Sequence, residues 1–245
     1  LRSYNADIFV VVAYGKLIPE NIFNLPGLRT INLHPSLLPL YRGAAPVEWS
    51  LIRGETVTGI TVQMINERLD AGDIVLQKNI HLGPDTTAGD LYGIVLPLGA
   101  SMLIEAVELL SSGKAVLLQQ KDEDATFCGK IDRDMARIDW IKTAIEIHNL
   151  IRGLNPKPVA WTTLREKNIK IHRTRLVDLE DVTLAPSLAE TLAPGQIAVA
   201  GKKRLLAGTS TGPIEILEIQ PETKKIMDAS SFINGFRLLP GERFS

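Results

Sequence analysis

Residues 7–15, DIFVVVAYG, are an unbroken apolar run closed by Gly15. Six or seven apolar residues bounded by a charge and a glycine read as a strand buried on both faces, the kind found in parallel sheets. IPENIFNLP follows with helical character and Pro19 near its start. LRTINLH is then a second β-branched strand. Strand, helix and strand in that order predict an α/β fold built on a Rossmann-like parallel sheet. One such unit makes a small sheet, so a further strand–helix portion is expected before Leu1.

The next segments extend the pattern. APVEWSLIRGE suits a helix, with Val47, Leu51 and Ile52 on roughly one face. TGITVQMI alternates and GDIVLQKNI follows, which predicts a hairpin through NERLDAG. TTAGDLYGIVLPLGASMLIEAVELLSSGK is a long helical pattern that Pro97 and Gly99 should bend or split, with Gly113 as its stop. No unbroken apolar run reaches the roughly 18 residues that span a bilayer.

The character changes after that helix. Residues 117–134 are polar and charged and read as a linker over the surface. The catalytic part is therefore expected over 1–116 and a second domain over 135–245. IDWIKTAIEIHNLIRGLNP is an amphipathic helix with Ile141, Ala144, Ile145, His148 and Ile151 or Arg152 on one face, ending at Gly153. Short alternating strands follow, so a small barrel or sandwich is expected. In IKIHRTRLV, alternation places Ile169, Ile171, Arg173 and Arg175 opposite Lys170, His172 and Thr174. APSLAETLAP reads as a surface loop.

Charge separates the halves. Residues 1–124 hold 9 Lys and Arg against 14 Asp and Glu, and residues 125–245 hold 18 against 14. A net of −5 beside a net of +4 permits contact of the second half with a polyanion. The single Cys128 excludes an internal disulfide and fits a reducing cytoplasm; scattered His residues argue against a metal site. No dinucleotide-binding, phosphate-loop or nucleophile-elbow motif is present.

Chemistry concentrates in INLHPSLLPLYRGAAP, residues 31–46. The strand period of two points Asn32 and His34 the same way, at the edge where ligands bind in open α/β sheets. An Asn amide can donate to an oxyanion, and a His can donate or carry a proton. The same pair can also satisfy a turn and cap a strand, and spacing alone leaves both readings open. In RLDAGDIV, Asp70 could orient His34 or hold a water, with Asp73 as competitor. SLLP supplies an apolar wall, and Arg42 with Gly43 an approach for a bulky ligand.

Asn-x-His, Ser-Leu-Leu-Pro, Tyr-Arg-Gly-Ala-Ala-Pro and Leu-Asp-Ala-Gly-Asp in succession closely resemble the 10-formyltetrahydrofolate-dependent formyltransferases. VVVAYGKLIP, ARIDW and IRGLNPKPVAW make the likeness greatest to members that act on methionyl-tRNA. The resemblance implies catalytic Asn32, His34 and Asp70, and folate contacts from Ser36, Leu37, Leu38, Pro39, Tyr14, Gly15, Leu17 and Ile18. It also implies 10-formyltetrahydrofolate as formyl donor, initiator Met-tRNA as acceptor, no metal, and a C-terminal OB-like β-barrel that holds tRNA. Arg42 and the cluster Lys202, Lys203 and Arg204 are the candidate tRNA contacts. A monomer without membrane association, in the cytoplasm or the mitochondrion of a eukaryote, is expected. Three alternatives accompany this reading: transfer to a sugar-nucleotide amine, hydrolysis of the donor, and a tRNA-binding fragment without turnover.

Overall fold

The computed structural model describes residues 1–177, 192–201 and 203–245. Lys202 and residues 185–191 of the expected surface loop lie outside the described residues. The chain divides into two compact units: Leu1–Ser50, Glu55–Pro84 and Asp90–Lys130 form the first, and Leu51–Gly54, Asp85–Gly89 and Ile131–Ser245 the second.

The first unit and its flanks hold β1 (Phe9–Val12), α1 (Glu20–Phe23), β2 (Thr30–His34), β3 (Arg42–Gly43), α2 (Pro46–Ile52), β4 (Val57–Met64), β5 (Ile74–His81), α3 (Ala88–Ser111) and β6 (Phe127–Cys128). The main sheet runs β1-β2-β4-β5. It is mixed, which corrects the expected parallel sheet. β1 and β2 are parallel, β4 returns antiparallel beside β2, and β4–β5 is the expected hairpin. Strand burial is a property of side chains, and it does not encode strand direction. β1 also departs from burial on both faces: it lies at the sheet edge, with Val10 and Val12 exposed.

α3 is one continuous helix that holds Pro97 within it, so Pro97 and Gly99 do not split it. Leu91, Val95, Met102 and Ala106 are buried at helical spacing. Gly99 packs closely on β2: a Cβ there would come within 2.6 Å of a Leu33 methyl, which would have to shift. By length and composition α3 could cross a membrane, which apolar runs alone did not anticipate. Its buried stripe packs into the core, Lys78 pairs with Glu105 at 2.9 Å, and Ile94, Leu96 and Ile104 on the rest of the helix are exposed. Gly113 stops the helix as expected, at φ 68 with the Lys114 N–H returning to the Leu109 carbonyl at 2.9 Å.

The expected linker is a second correction. Residues up to Lys130 belong to the first unit. Leu118 pairs with Ile74, and β6 pairs in parallel with β3 through Arg42↔Phe127 and Gly43↔Cys128.

In the second unit, α4 (Ala144–Gly153), β7 (Ala160–Leu164), β8 (Lys167–Leu176), β9 (Ile197–Ala200), β10 (Arg204–Thr209), β11 (Gly212–Pro221), β12 (Met227–Asp228) and α5 (Ala229–Phe236) surround one core. The sheet order is β7-β8-β11-β10-β9, all antiparallel, with β12 on β11. Among the described residues the ladder does not close into a barrel. Trp140 stacks on Phe244 with centroids 5.3 Å apart, and the Trp140 indole N–H donates to Thr162 at 3.0 Å.

α4 starts later than the periodicity indicates. Thr143 caps it in a reciprocal box with Glu146: the Glu146 N–H donates to Thr143 Oγ1 at 3.3 Å, and the Thr143 N–H to Glu146 Oε2 at 2.9 Å. Ile141 and Ile145 are therefore exposed, and Ile147, His148 and Ile151 form the buried face. Thr143→Ala removes this cap. Its melting temperature is expected about 2–4 °C below that of the parent by calorimetry. The alternation expected in β8 also breaks. Ile171 and His172 are both buried, and β11 carries a bulge between Ile216 and Glu218 opposite Thr174 and Arg173.

Candidate active site

Parallel pairing of β1 with β2 brings their carboxyl ends to one edge, with Val12 opposite Leu33. The chain leaves β1 through Ala13 at φ 50 and Gly15 at φ 71. Tyr14, Gly15 and Leu17 are exposed and Ile18 is half-buried. These expected folate contacts therefore leave the sheet at the edge where β2 ends at His34.

On β2, Asn32 lies opposite Gln63 of β4, and His34 opposite Thr61. Asn32 is half-buried, and among the described residues no hydrogen bond ties down its amide. His34 is 4% exposed. Its Nε2 is 2.8 Å from the Tyr41 carbonyl, which can only accept, so Nε2 carries a proton in every ionisation state. Tyr41 aims that carbonyl from a left-handed conformation, φ 62, and its hydroxyl donates to Glu55. Nδ1 is left facing Asp70 Oδ2 at 3.7 Å, longer than a hydrogen bond. Burial pushes the His34 imidazole below its ordinary range, against the opposing pull of the Asp70 charge and the Tyr41 hydrogen bond. In the neutral ring, Nδ1 is the basic nitrogen.

Asp70 sits in the β4–β5 turn at φ 48. Its Oδ2 accepts the Gly43 N–H at 2.9 Å, and its Oδ1 accepts the Gln63 amide at 3.0 Å. Asp73, the competing carboxylate, lies on the ladder instead, its backbone carbonyl accepting the Met64 N–H at 2.8 Å. Gly43 must be glycine: φ is 110, and a Cβ would strike the Cys128 carbonyl.

The SLLP elbow divides by orientation. Ser36 is buried, donates to the Leu40 carbonyl at 2.6 Å, and receives the Thr61 hydroxyl on its own carbonyl at 2.7 Å. Leu38 is buried too, with its N–H on Thr61 at 3.2 Å and its carbonyl on Gln77 at 2.9 Å. These two side chains build the elbow, and Leu37 and Pro39, both half-buried, keep surface that a ligand could touch.

Two of the expected tRNA contacts, Arg42 and Arg204, are tied to partners within the protein. Arg42 turns inward at 4% exposure, with its guanidinium on Gln120 and on Asp122. Arg204 and Arg175 share the buried Glu215 at 2.9 and 2.8 Å. Burial opposes ionisation of Glu215, but the bonds from Arg204 and Arg175 outweigh it and hold the carboxyl below its usual range. Lys203 is exposed. Sequence reasoning missed Tyr41, Thr61, Gln63 and Gln120. The one available signal was a Gln inside the apolar strand ITVQMI.

An amide and an imidazole on one face of a strand, with a carboxylate facing the imidazole, can stabilise an oxyanion and move a proton. No group of residues with metal-ligating potential occurs among the described residues. The "Formyl transferase" family model matches residues 1–107, and that of the "Formyl transferase, C-terminal domain" matches residues 130–237. The chain belongs to the formyl transferase family. The methionyl-tRNA formyltransferase of Agathobacter rectalis is 37% identical over 245 residues, covering 100% of this chain and 76% of that protein. The methionyl-tRNA formyltransferase of Solibacter usitatus is 39% identical over 243 residues, covering 99% and 75%. Among solved structures, HypX from Aquifex aeolicus in complex with tetrahydrofolic acid shares the fold, with TM-score 0.66 and 17% identity over 94% of this chain and 39% of that one.

Proposed function

We propose that this chain transfers a formyl group from 10-formyltetrahydrofolate to the α-amine of methionine carried on initiator tRNA. Likeness along the whole of this chain to methionyl-tRNA formyltransferases, over 76% and 75% of their lengths, supports the reaction. The observation that carries the mechanism is the convergence of Asn32, His34 and Asp70, with His34 Nδ1 outside hydrogen-bond reach of any group among the described residues and facing the carboxylate at 3.7 Å.

The amine lone pair adds to the formyl carbon, and the carbonyl π pair moves onto oxygen. The Asn32 amide donates to that oxyanion, and one such donor is worth about 3–4 kcal/mol of barrier. The adduct's nitrogen is then an ammonium. His34 Nδ1 takes its proton, and Asp70 stabilises the imidazolium that forms. The oxyanion reforms its carbonyl, the bond from carbon to N10 breaks, and His34 returns the proton to N10. The net result is a formamide and tetrahydrofolate, with no covalent enzyme intermediate. Leu37 and Pro39 would wall the folate, and Tyr14, Gly15, Leu17 and Ile18 would contact it from the neighbouring strand end. The antiparallel second unit, OB-like in this reading, would hold the tRNA.

Asp70→Asn keeps the size of the side chain and removes its charge. kcat for formyl-Met-tRNA formation is expected to fall by about 10²-fold. Because the Asp70 charge pulls the His34 pKa up, its loss moves the His34 titration seen by NMR to lower pH. A wild-type midpoint in Asp70→Asn would remove Asp70 from this role.

A further inference from the structure

Behind the Asp70 turn lies a buried chain of polar side chains that the mechanism above does not use. Gln120 is 8% exposed and Gln63 is 2% exposed. Gln120 comes from the segment read as a linker, fifty positions beyond Asp70. Its Oε1 accepts from Arg42 Nε at 3.1 Å and from the Arg42 terminal nitrogen at 2.9 Å. Its Nε2 faces the backbone carbonyls of Asp70 at 2.9 Å and Gly72 at 2.7 Å, and Gln63 Oε1 at 3.2 Å. Gln63 Nε2 in turn donates to Asp70 Oδ1 at 3.0 Å.

The direction of this chain is forced. A guanidinium only donates, so the Gln120 oxygen must face Arg42 and its NH₂ must face the turn. A flipped amide would set donors against donors at one end and oxygen against two carbonyls at the other, all away from water. The two shorter contacts take the two hydrogens, and the contact to Gln63 is shared. With its own oxygen turned to Gln120, Gln63 points its NH₂ at the carboxylate, which only accepts. Arg42 at one end thus sets the orientation of every amide up to Asp70. The turn needs such a hold. Asp70 is at φ 48, an uncommon conformation for a residue with a side chain. Gly72 lies so near β4 that a Cβ would fall on the Met64 carbonyl. Gln120 grips the turn on both sides of Ala71.

We propose that Gln120, oriented by Arg42, is a positioning residue for formyl transfer that aims the Asp70 carboxylate at His34 through the turn carbonyls and the Gln63 amide. This rests on the reading of Asp70 as the partner of His34. Gln120 touches no reacting atom, so its effect must pass through Asp70.

The test uses the whole chain with Gln120→Met, which removes donors and acceptor at similar length, and Gln120→Glu. The second keeps an acceptor for Arg42 and loses the NH₂, so it carries the kcat, KM and Asp70→Ala readouts if Gln120→Met does not fold; its added charge excludes it from the titration. Three results are expected. kcat falls by about tenfold or more while KM for both substrates stays within about twofold, because the loss is in alignment. In the Asp70→Ala background the same substitution changes kcat by less than about twofold. The His34 midpoint followed by NMR moves to lower pH, as it does when the Asp70 charge is removed. A merely structural Gln120 would lower melting temperature and leave that midpoint in place. An unchanged midpoint, or an undiminished kcat loss in Asp70→Ala, overturns the proposal. The titration needs no turnover. Failure of the wild-type chain to formylate Met-tRNA would count against the proposed function and leave the positioning question decided by the NMR result.

Discussion

His34→Ala lowers kcat for formyl transfer by about 10²–10⁴-fold, the range for loss of a positioned proton carrier. Most of the effect belongs to the chemical step. Nδ1 is the uncommitted nitrogen, and Nε2 is held by the Tyr41 carbonyl at 2.8 Å. Without the imidazole, the ammonium of the adduct must lose its proton to bulk water from a buried edge. The Tyr41 carbonyl keeps the Cys128 thiol at 3.3 Å as a donor, so the substitution leaves no orphaned acceptor there. Single-turnover formylation separates the two contributions, and circular dichroism checks the fold. A His34→Ala rate within threefold of the parent would remove His34 from the mechanism.

Asn32→Ala is expected to cost about 10²–10³-fold in kcat with little change in either KM. The reason is timing. A formyl carbonyl is a modest acceptor in the ground state, and it becomes a strong one only as the oxyanion forms, so the Asn32 amide contributes chiefly to the transition state. Its side chain is half-buried, and among the described residues no hydrogen bond holds it, so truncation leaves no orphaned partner and little stability cost. A rise in KM at constant kcat would mean that Asn32 serves binding instead.

The site was legible in the sequence where chemistry and period coincide. Asn32 and His34 stand two apart on a strand, and that spacing alone places them on one face at its end. Asp70 required the resemblance, because nothing local distinguishes it from Asp73. The supports were hidden for a physical reason. Gln120 lies among polar residues, QQKDED, and becomes buried only when the turn after β4 folds onto it. Arg42 carries the same lesson: a lone charge beside a glycine reads as surface, and the structure buries it on Gln120.

Elements were better foreseen than their directions and edges. The β4–β5 hairpin and the Gly113 stop follow from local turn chemistry. The mixed sheet does not, because an apolar run is the same read parallel or antiparallel. On α4, the capping box of Thr143 and Glu146 was available in the sequence and fixes the helix start that periodicity placed a turn too early. The second unit shows the same limit. Short alternating strands gave the antiparallel sheet, while closure into a barrel depends on pairing between distant strands, and no pairing of β7 with β9 is present among the described residues.

The most direct test of the account is steady-state turnover of this chain with 10-formyltetrahydrofolate and Met-tRNA, beside an amino-sugar nucleotide and a reaction without acceptor. The predicted result is formyl-Met-tRNA and tetrahydrofolate in equal amounts, reduced at least 100-fold by His34→Ala. Formate released without acceptor, formylation of the amino sugar in preference to Met-tRNA, or tRNA binding without turnover would contradict it.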